Sequence, residues 1–429
     1  MTEISRTAAP AVSPGYRTYA LLLLTAVYTS NFLDRQIMSI LLVPIQKEFG
    51  ASDSVMGLLT GFTFAIFYAT LGIPIAMMAD RGNRKLIITV CLAIWSVMTV
   101  ACGMAATLWQ LFIARIGVAV GEAGGTPPSH SILSDLYKPE ERATALGIFS
   151  LGVPLGAMLA FFGGAYIAEH YGWRMAFIVV GLPGLLLALL VWFTIDEPQR
   201  TVPVSKADQP SFGDVSRFIW QQQSLVHAVA GGTLVTLVGW AGLAFFPAFL
   251  VRVHGMALTE VGLYFALVAG IAGGLGTFAG GYLADLLAKR DIRWMPWVVG
   301  IAFGVSLPFT LAGILATDRT TALILLIVPF FVGSLYLPPT FALAQNLVTP
   351  RMRATTSGLV LFVFSLIGMG GGPTLAGVIS TSLTPSFGAG EALRWALLAC
   401  TLFNIWGVLH YWLAGRTLAA DLARARAAS

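Results

Sequence analysis

Gly50-x-x-x-Ser54-x-x-Gly57-Leu58 is written again 205 residues later as Gly255-x-x-x-Thr259-x-x-Gly262-Leu263, and the same offset carries Asp80 onto Asp285. A second phrase, Pro139-x-x-Arg142-Ala143-Thr144-x-x-Gly147, returns at an offset of 211 as Pro350-x-x-Arg353-Ala354-Thr355-x-x-Gly358. Each pair joins equivalent places in the hydropathy pattern: the starts of the second and eighth apolar runs, and the turns before the fifth and eleventh. Self-similarity at a fixed offset marks a duplicated architecture. The chain therefore reads as one six-span unit used twice.

The runs themselves set the solvent. Of 429 residues, 57% are hydrophobic and 10% are charged, against roughly 25% charged in soluble domains; the mean hydropathy is +0.81. Twelve apolar runs cover 18–42, 55–79, 86–106, 109–134, 143–168, 174–194, 225–251, 260–287, 295–316, 322–347, 355–382 and 392–413. Each is long enough to cross a hydrocarbon core of about 30 Å. Pro, Gly and β-branched residues inside them do not argue against helix, because membrane helices tolerate them. An all-α integral membrane protein follows.

The net charge of +5 is a topology signal. With the N-terminus inside, 18 of the 25 Lys and Arg fall in cytoplasmic segments and five in outer loops, Lys47, Arg174, Arg252, Arg319 and Arg394. The positive-inside rule puts both termini in the cytoplasm of a multi-pass protein of the plasma (inner) membrane. A nucleic-acid partner has no basic surface left to explain. Cys91, Cys102 and Cys400 all lie inside runs and read as packing residues, with neither a disulfide framework nor a metal cluster. The expected division is a disordered 1–15, a first bundle 16–195, a polar flexible linker 196–221, a second bundle 222–414 and a disordered tail 415–429. Pro198, Pro203 and Pro210 mark the linker.

Duplicated six-helix halves are the architecture of secondary transporters, whose substrate site lies between the halves near the midplane. Asp80-Arg81-Gly82-Asn83-Arg84-Lys85, between the second and third runs, resembles the signature loop of the major facilitator superfamily, although Ala76 stands where that loop usually has Gly. Gly152-x-Pro154-x-Gly156 resembles its helix-packing motif. Asn31-x-x-Asp34-Arg35, Ala79-Asp80-Arg81-x-Asn83-Arg84-Lys85 and Arg115-x-x-x-x-x-Gly121-Glu122-Ala123 together are most similar to the spinster group, as a bacterial-type homologue. The resemblance spans essentially the whole chain. It implies twelve helices in two pseudo-symmetric bundles and alternating access, with animal members of the group associated with export of sphingosine-1-phosphate and lysolipids. It also implies that Asp80 latches the halves together when the protein opens outward, with Arg81 and Arg84 completing the network and Asp285 as a weaker counterpart. The plainer reading of these four is ordinary loop charges that orient helices.

Only Asp34, Arg35, Arg115 and Glu122 are charges in the interior of the runs, away from their ends. A charge at bilayer depth costs about 2.5 to more than 10 kcal/mol unless paired or wetted, so a proton path or binding site is the default reading. Seven residues separate Arg115 from Glu122, two turns along one helix face. Side chains of the adjacent Asp34 and Arg35 diverge by about 100°, which favours Asp34 with Arg115 and Arg35 with Glu122. A carboxylate there is held between desolvation, which favours the protonated form, and a guanidinium, which favours the charged one. Arg keeps its proton, so Asp34 and Glu122 are the two groups able to couple transport to a proton gradient. Arg35 and Arg115 are their charge partners or grip a substrate anion. The plainer alternative is a permanent salt-bridge cluster that joins two helices.

No acid or Arg occupies the interior of the second half's runs, which points to a more apolar substrate surface there. Candidates for the cavity are His130, Trp240, Phe245, Tyr336, Gln345 and Asn346, with Phe246 and Phe249 beside them, each weighed against ordinary packing; His130, two turns from Glu122, is also placed to extend a relay, while Thr233, Thr236 and His227 read mainly as packing. The expected partners are a small amphipathic or anionic substrate, protons and membrane lipids, with a monomeric chain and no cofactor. A lipid-like substrate and an organic carboxylate remain as alternatives, as does a non-transporting receptor. The chain has no Gly-x-Ser-x-Gly, His-Glu-x-x-His or Gly-x-x-x-x-Gly-Lys-Ser/Thr, so neither an enzyme nor an ATP-driven pump is expected.

Overall fold

A computed structural model describes residues 13–198, 212–349 and 352–428. Among these residues the chain is helical throughout. Nine helices are long and apolar enough to cross a membrane. One of them, Thr355–Arg424, is two spans run together at Gly388, whose φ of 78° turns the chain. The 36-residue helix Pro14–Phe49 and the broken helix Leu108–Leu136 bring the total to twelve.

In chain order, the first half holds α1 (Pro14–Phe49), α2 (Asp53–Ala79), α3 (Arg84–Met104), α4 (Leu108–Glu122 and Thr126–Leu136), α5 (Glu140–Tyr171) and α6 (Trp173–Thr194). The second half holds α7 (Gln223–His254), α8 (Leu258–Ala288), α9 (Trp294–Leu315), α10 (Arg319–Gly333 and Leu337–Leu347), α11 (353–387) and α12 (389–428). Below, "outer" is the end poor in basic residues and "inner" the end rich in them.

The repeated phrase explains itself physically. Gly50 and Gly255 end α1 and α7 with φ of 62° and 63°, a left-handed cap that glycine adopts without strain. Gly57 and Gly262, seven residues on, let the halves touch backbone to backbone. A Cβ on Gly57 would lie 2.3 Å from the Pro373 carbonyl oxygen of α11, and one on Gly262 would lie 2.4 Å from both Ala165 Cβ and the Phe161 oxygen of α5. Small residues at such crossings are how membrane helices approach closely.

Four of the helices that meet across the halves carry a π-helical stretch: Leu58–Phe62 in α2, Leu159–Gly163 in α5, Ala266–Ala272 in α8 and Phe364–Met369 in α11. Such turns locally widen a helix and re-aim the residues after them. One apolar cluster runs through the first half and across the outer ends of the second, through Phe161, Phe265, Phe249 and Met256. The inner part of the second half packs separately around Leu225, Leu343 and Leu418 and around Tyr336 and Tyr411.

Two boundary expectations change. Residues 212–221 of the expected flexible linker form a helix, Phe212–Gln221, with Val215 buried and Phe218 and Ile219 packed on the inner cluster. The tail continues α12 as helix to Ala428. Asp421, fully buried, accepts hydrogen bonds from the Ser224 amide and hydroxyl, each at 2.6 Å. One carboxylate thus caps the start of α7 and fastens the tail. The expected disordered stretch 1–15 falls largely outside the described residues.

Candidate functional site

The four intramembrane charges converge on the seam of α1 and α4, with α2 and α3 behind. α4 is broken directly after Glu122 by Ala123–Gly125, and its second piece restarts at Thr126-Pro127-Pro128. Its position is set by close approach to α3: a Cβ on Gly121 would lie 2.6 Å from the Trp95 nitrogen, and one on Gly124 would lie 2.3 Å from Cys91 Sγ. Glu122 is thereby pressed into the interior with 1% of its surface exposed.

Arg35 reaches it from α1. Its Nη2 and Nε donate to Glu122 Oε2 at 2.8 and 3.1 Å, and its guanidinium lies 4.7–5.2 Å from the ring centroids of Phe32, Phe64 and Tyr68. The aromatic faces add cation–π attraction where water is scarce. Arg35 with Glu122 is the pairing expected from helical phase.

The other expected pair is not formed. Arg115, 1% exposed, donates from Nη1 to the backbone carbonyl of Asp34 at 3.2 Å, and its guanidinium lies 5.3 Å from the Phe64 ring centroid. Asp34 is fully buried, and neither carboxyl oxygen has a hydrogen-bond partner among the described residues. Trp95 Nε1 and Thr99 Oγ1 of α3 face that carboxyl without reaching hydrogen-bond geometry. A one-residue phase argument placed both acids beside a guanidinium. Only the packed structure shows that Arg115 spends its hydrogen bond on main chain.

The second half has a matching break in α10, between Gly333 and Leu337 before Pro338–Pro339. The Pro-Pro pairs at 127–128 and 338–339 share the 211 offset, so this break was legible as a third repeat. Here the chemistry is neutral. Tyr336, 6% exposed, pairs through its hydroxyl with Thr236 Oγ1 at 2.7 Å, and Thr340 pairs with the Tyr411 hydroxyl at 2.8 Å. Phe245, another of the candidate cavity residues, is fully buried in α7. Trp240 is half-buried, Gln345 and Asn346 are exposed near the inner end of α10, and His130 is exposed on the second piece of α4, edge-on to Phe149.

The residues of the signature loop have distinct surroundings. The Asp80 side chain lies outside the described residues. Arg84 is 1% exposed and works entirely within the first half, donating to Asp135, to Glu197 at 2.6 Å, to Ser131 and to the Pro198 carbonyl. Arg81 and Asp285 are exposed. Beside Arg81, an open groove of about 490 Å³ is lined by Pro74, Met77, Met78 and Gly82.

Contacts between the halves collect instead in the outer part of the protein. Arg252 at the end of α7 grips Asp53 at the start of α2 with two bonds of 2.9 Å and also reaches Gln46, while Ser380 of α11 donates to Asp53 at 2.6 Å. Neither Asp53 nor Arg252 stands out in the sequence, because each is a single charge at the end of an apolar run. These bonds join the two halves at the outer end of the seam, between α2 of one and α7 and α11 of the other. The chain belongs to the major facilitator superfamily. The sequence pattern that defines it matches residues 24–373.

Within the superfamily the chain is a transporter of spinster type. A crystal structure of a bacterial homologue of the human lysosomal transporter spinster, inward-facing and unoccupied, superposes with a TM-score of 0.87 at 34% identity, covering 96% of this chain and 99% of that one. An MFS-type efflux pump of Mycolicibacterium smegmatis is 35% identical over 403 residues, covering 93% of this chain and 92% of the relative. The sphingosine-1-phosphate transporter SPNS2 of Danio rerio is 26% identical over 413 residues, covering 89% and 80%.

Proposed function

We propose that this chain is a proton-coupled secondary transporter that moves an amphipathic, lipid-like molecule with an anionic head by alternating access across the plasma membrane, its termini in the cytoplasm. The observation that carries the reading is Asp34: a carboxyl with no exposed surface and no bonded oxygen among the described residues, one residue from an Arg35 already neutralised by Glu122. An uncompensated carboxylate at that depth is costly, and a protonated one is not. In this inward-open arrangement Asp34 carries the proton and Glu122 stays ionised against Arg35.

Movement of α1 against α4 would break the Arg35–Glu122 pair, freeing Arg35 to meet an anionic head and Glu122 to take a proton. The first half thus supplies coupling, and the neutral, aromatic second half faces the substrate's apolar part. The efflux and sphingosine-1-phosphate activities named for two relatives agree with such a substrate and with an export direction.

Purified protein in vesicles with an imposed proton gradient tests this with a lysophospholipid and, separately, a small carboxylate. Wild type is expected to move the lysolipid when driven by the gradient, and Asp34→Asn and Glu122→Gln to lose gradient-driven transport while remaining folded. Wild-type rates in both variants would remove the coupling role. Transport of the carboxylate alone would replace the substrate class with the organic-anion alternative.

A further inference from the structure

The two starts of the repeated phrase are capped from the opposite half. The Ser54 amide, in the first turn of α2, donates to Thr381 Oγ1 of α11 at 2.8 Å. Its repeat, the Thr259 amide in the first turn of α8, donates to Glu169 Oε2 of α5 at 2.7 Å. First-turn amides have no partner inside their own helix. Here the missing acceptor comes across the seam both times, from the same turn of the two related helices: the 211 offset carries Glu169 onto Ser380, the neighbour of Thr381.

We infer that Glu169 and Thr381 are a matched pair of positioning residues for transport, each holding the outer seam shut by completing the first turn of a helix in the other half. The inference rests on the alternating-access reading above. Below each cap lies its glycine crossing, Gly57 on Pro373 and Gly262 on Phe161, so an outward swing of the halves must uncouple cap and crossing together. The freed amides then turn to water, which makes the opening reversible.

The clasps are chemically unequal. At α2 a neutral hydroxyl is backed by the Asp53–Arg252 ion pair and by Ser380. At α8 a single exposed carboxylate also meets the positive end of the helix dipole. Loss of a charged acceptor is expected to weigh more than loss of a neutral one.

Spin labels at Ala106→Cys and Thr317→Cys, both exposed near the outer end of their halves, report the outer distance; labels at Lys138→Cys and Lys289→Cys report the inner one. The natural cysteines are buried. Thr381→Val is expected to raise the ratio of outer-open to outer-closed molecules about fivefold and Glu169→Gln about tenfold, with the inner distance shortening in step. Thr381→Ser, which keeps the hydroxyl, should return the wild-type distribution. Distributions unchanged in both Val and Gln variants would overturn the inference while leaving alternating access intact. Inner and outer distances that never change in opposite senses, with lysolipid or without it, would overturn the reading beneath it.

Discussion

Arg84 shows how much of a side chain's surroundings a motif leaves open. In the signature loop it is a surface cation; in the structure it is a buried hub that joins the start of α3, the second piece of α4 and the residues after α6. Glu197 returns the favour by accepting the Lys85 amide at 3.0 Å, capping α3. Removing one member of a buried ion network leaves the others uncompensated, which typically costs about 3–5 kcal/mol. Arg84→Ala is accordingly expected to lower the thermal midpoint of purified protein sharply, whereas Arg81→Ala, at an exposed position, should leave it near wild type. The same lesson holds at Asp34. Its presence among apolar residues was plain in the sequence, but that Arg115 would bond its carbonyl and leave its carboxyl unpartnered depended on where three helices put their backbones.

Helices were the most legible scale, because a 20-residue apolar run in lipid has no other way to satisfy its amides. Their interruptions were less so. The breaks in α4 and α10 leave the overall run intact and are marked only by the repeated Pro-Pro pairs, and the four π-helical stretches have no composition signature at all. Glycines divide into those that matter and those that do not only once their neighbours are known. A Cβ on Gly276 of α8 would stand 1.7 Å from the Phe331 oxygen of α10, whereas one on Gly239 of α7 meets nothing within 4 Å. Gly276→Ala should therefore destabilise the second half by about 1–3 kcal/mol through overpacking. Gly239→Ala should be neutral or stabilising by about 0.5–1 kcal/mol, as expected for a helix interior. Unfolding of the two variants in the same detergent compares them directly.

At the scale of the whole molecule, the two halves share a fold but differ in what they bury. The Arg35–Glu122 pair lies in the first, and the corresponding place in the second holds the Thr236–Tyr336 and Thr340–Tyr411 hydroxyl pairs. The outer seam is sealed while Met77 and Met78 stand 51% and 61% exposed beside the inner groove. Met77→Cys should thus react readily with a membrane-impermeant maleimide from the inner side, and Ser54→Cys, under the seam, should resist it from the outer side. Any condition that opens the outer seam should exchange the two reactivities. Equal labelling of both positions throughout would contradict a moving seam.

Amino-acid order alone determined that this chain lives in a bilayer, crosses it twelve times and was built by duplication, because hydrophobicity, helix length and repeated turn residues are local properties that survive any packing. It also singled out the four charges worth asking about. Which of them pair, which arginine is buried, where the halves touch and which end is open were decided only in three dimensions. Those outcomes depend on distances of a few ångströms between residues tens to hundreds of positions apart, and no local property of the chain encodes them.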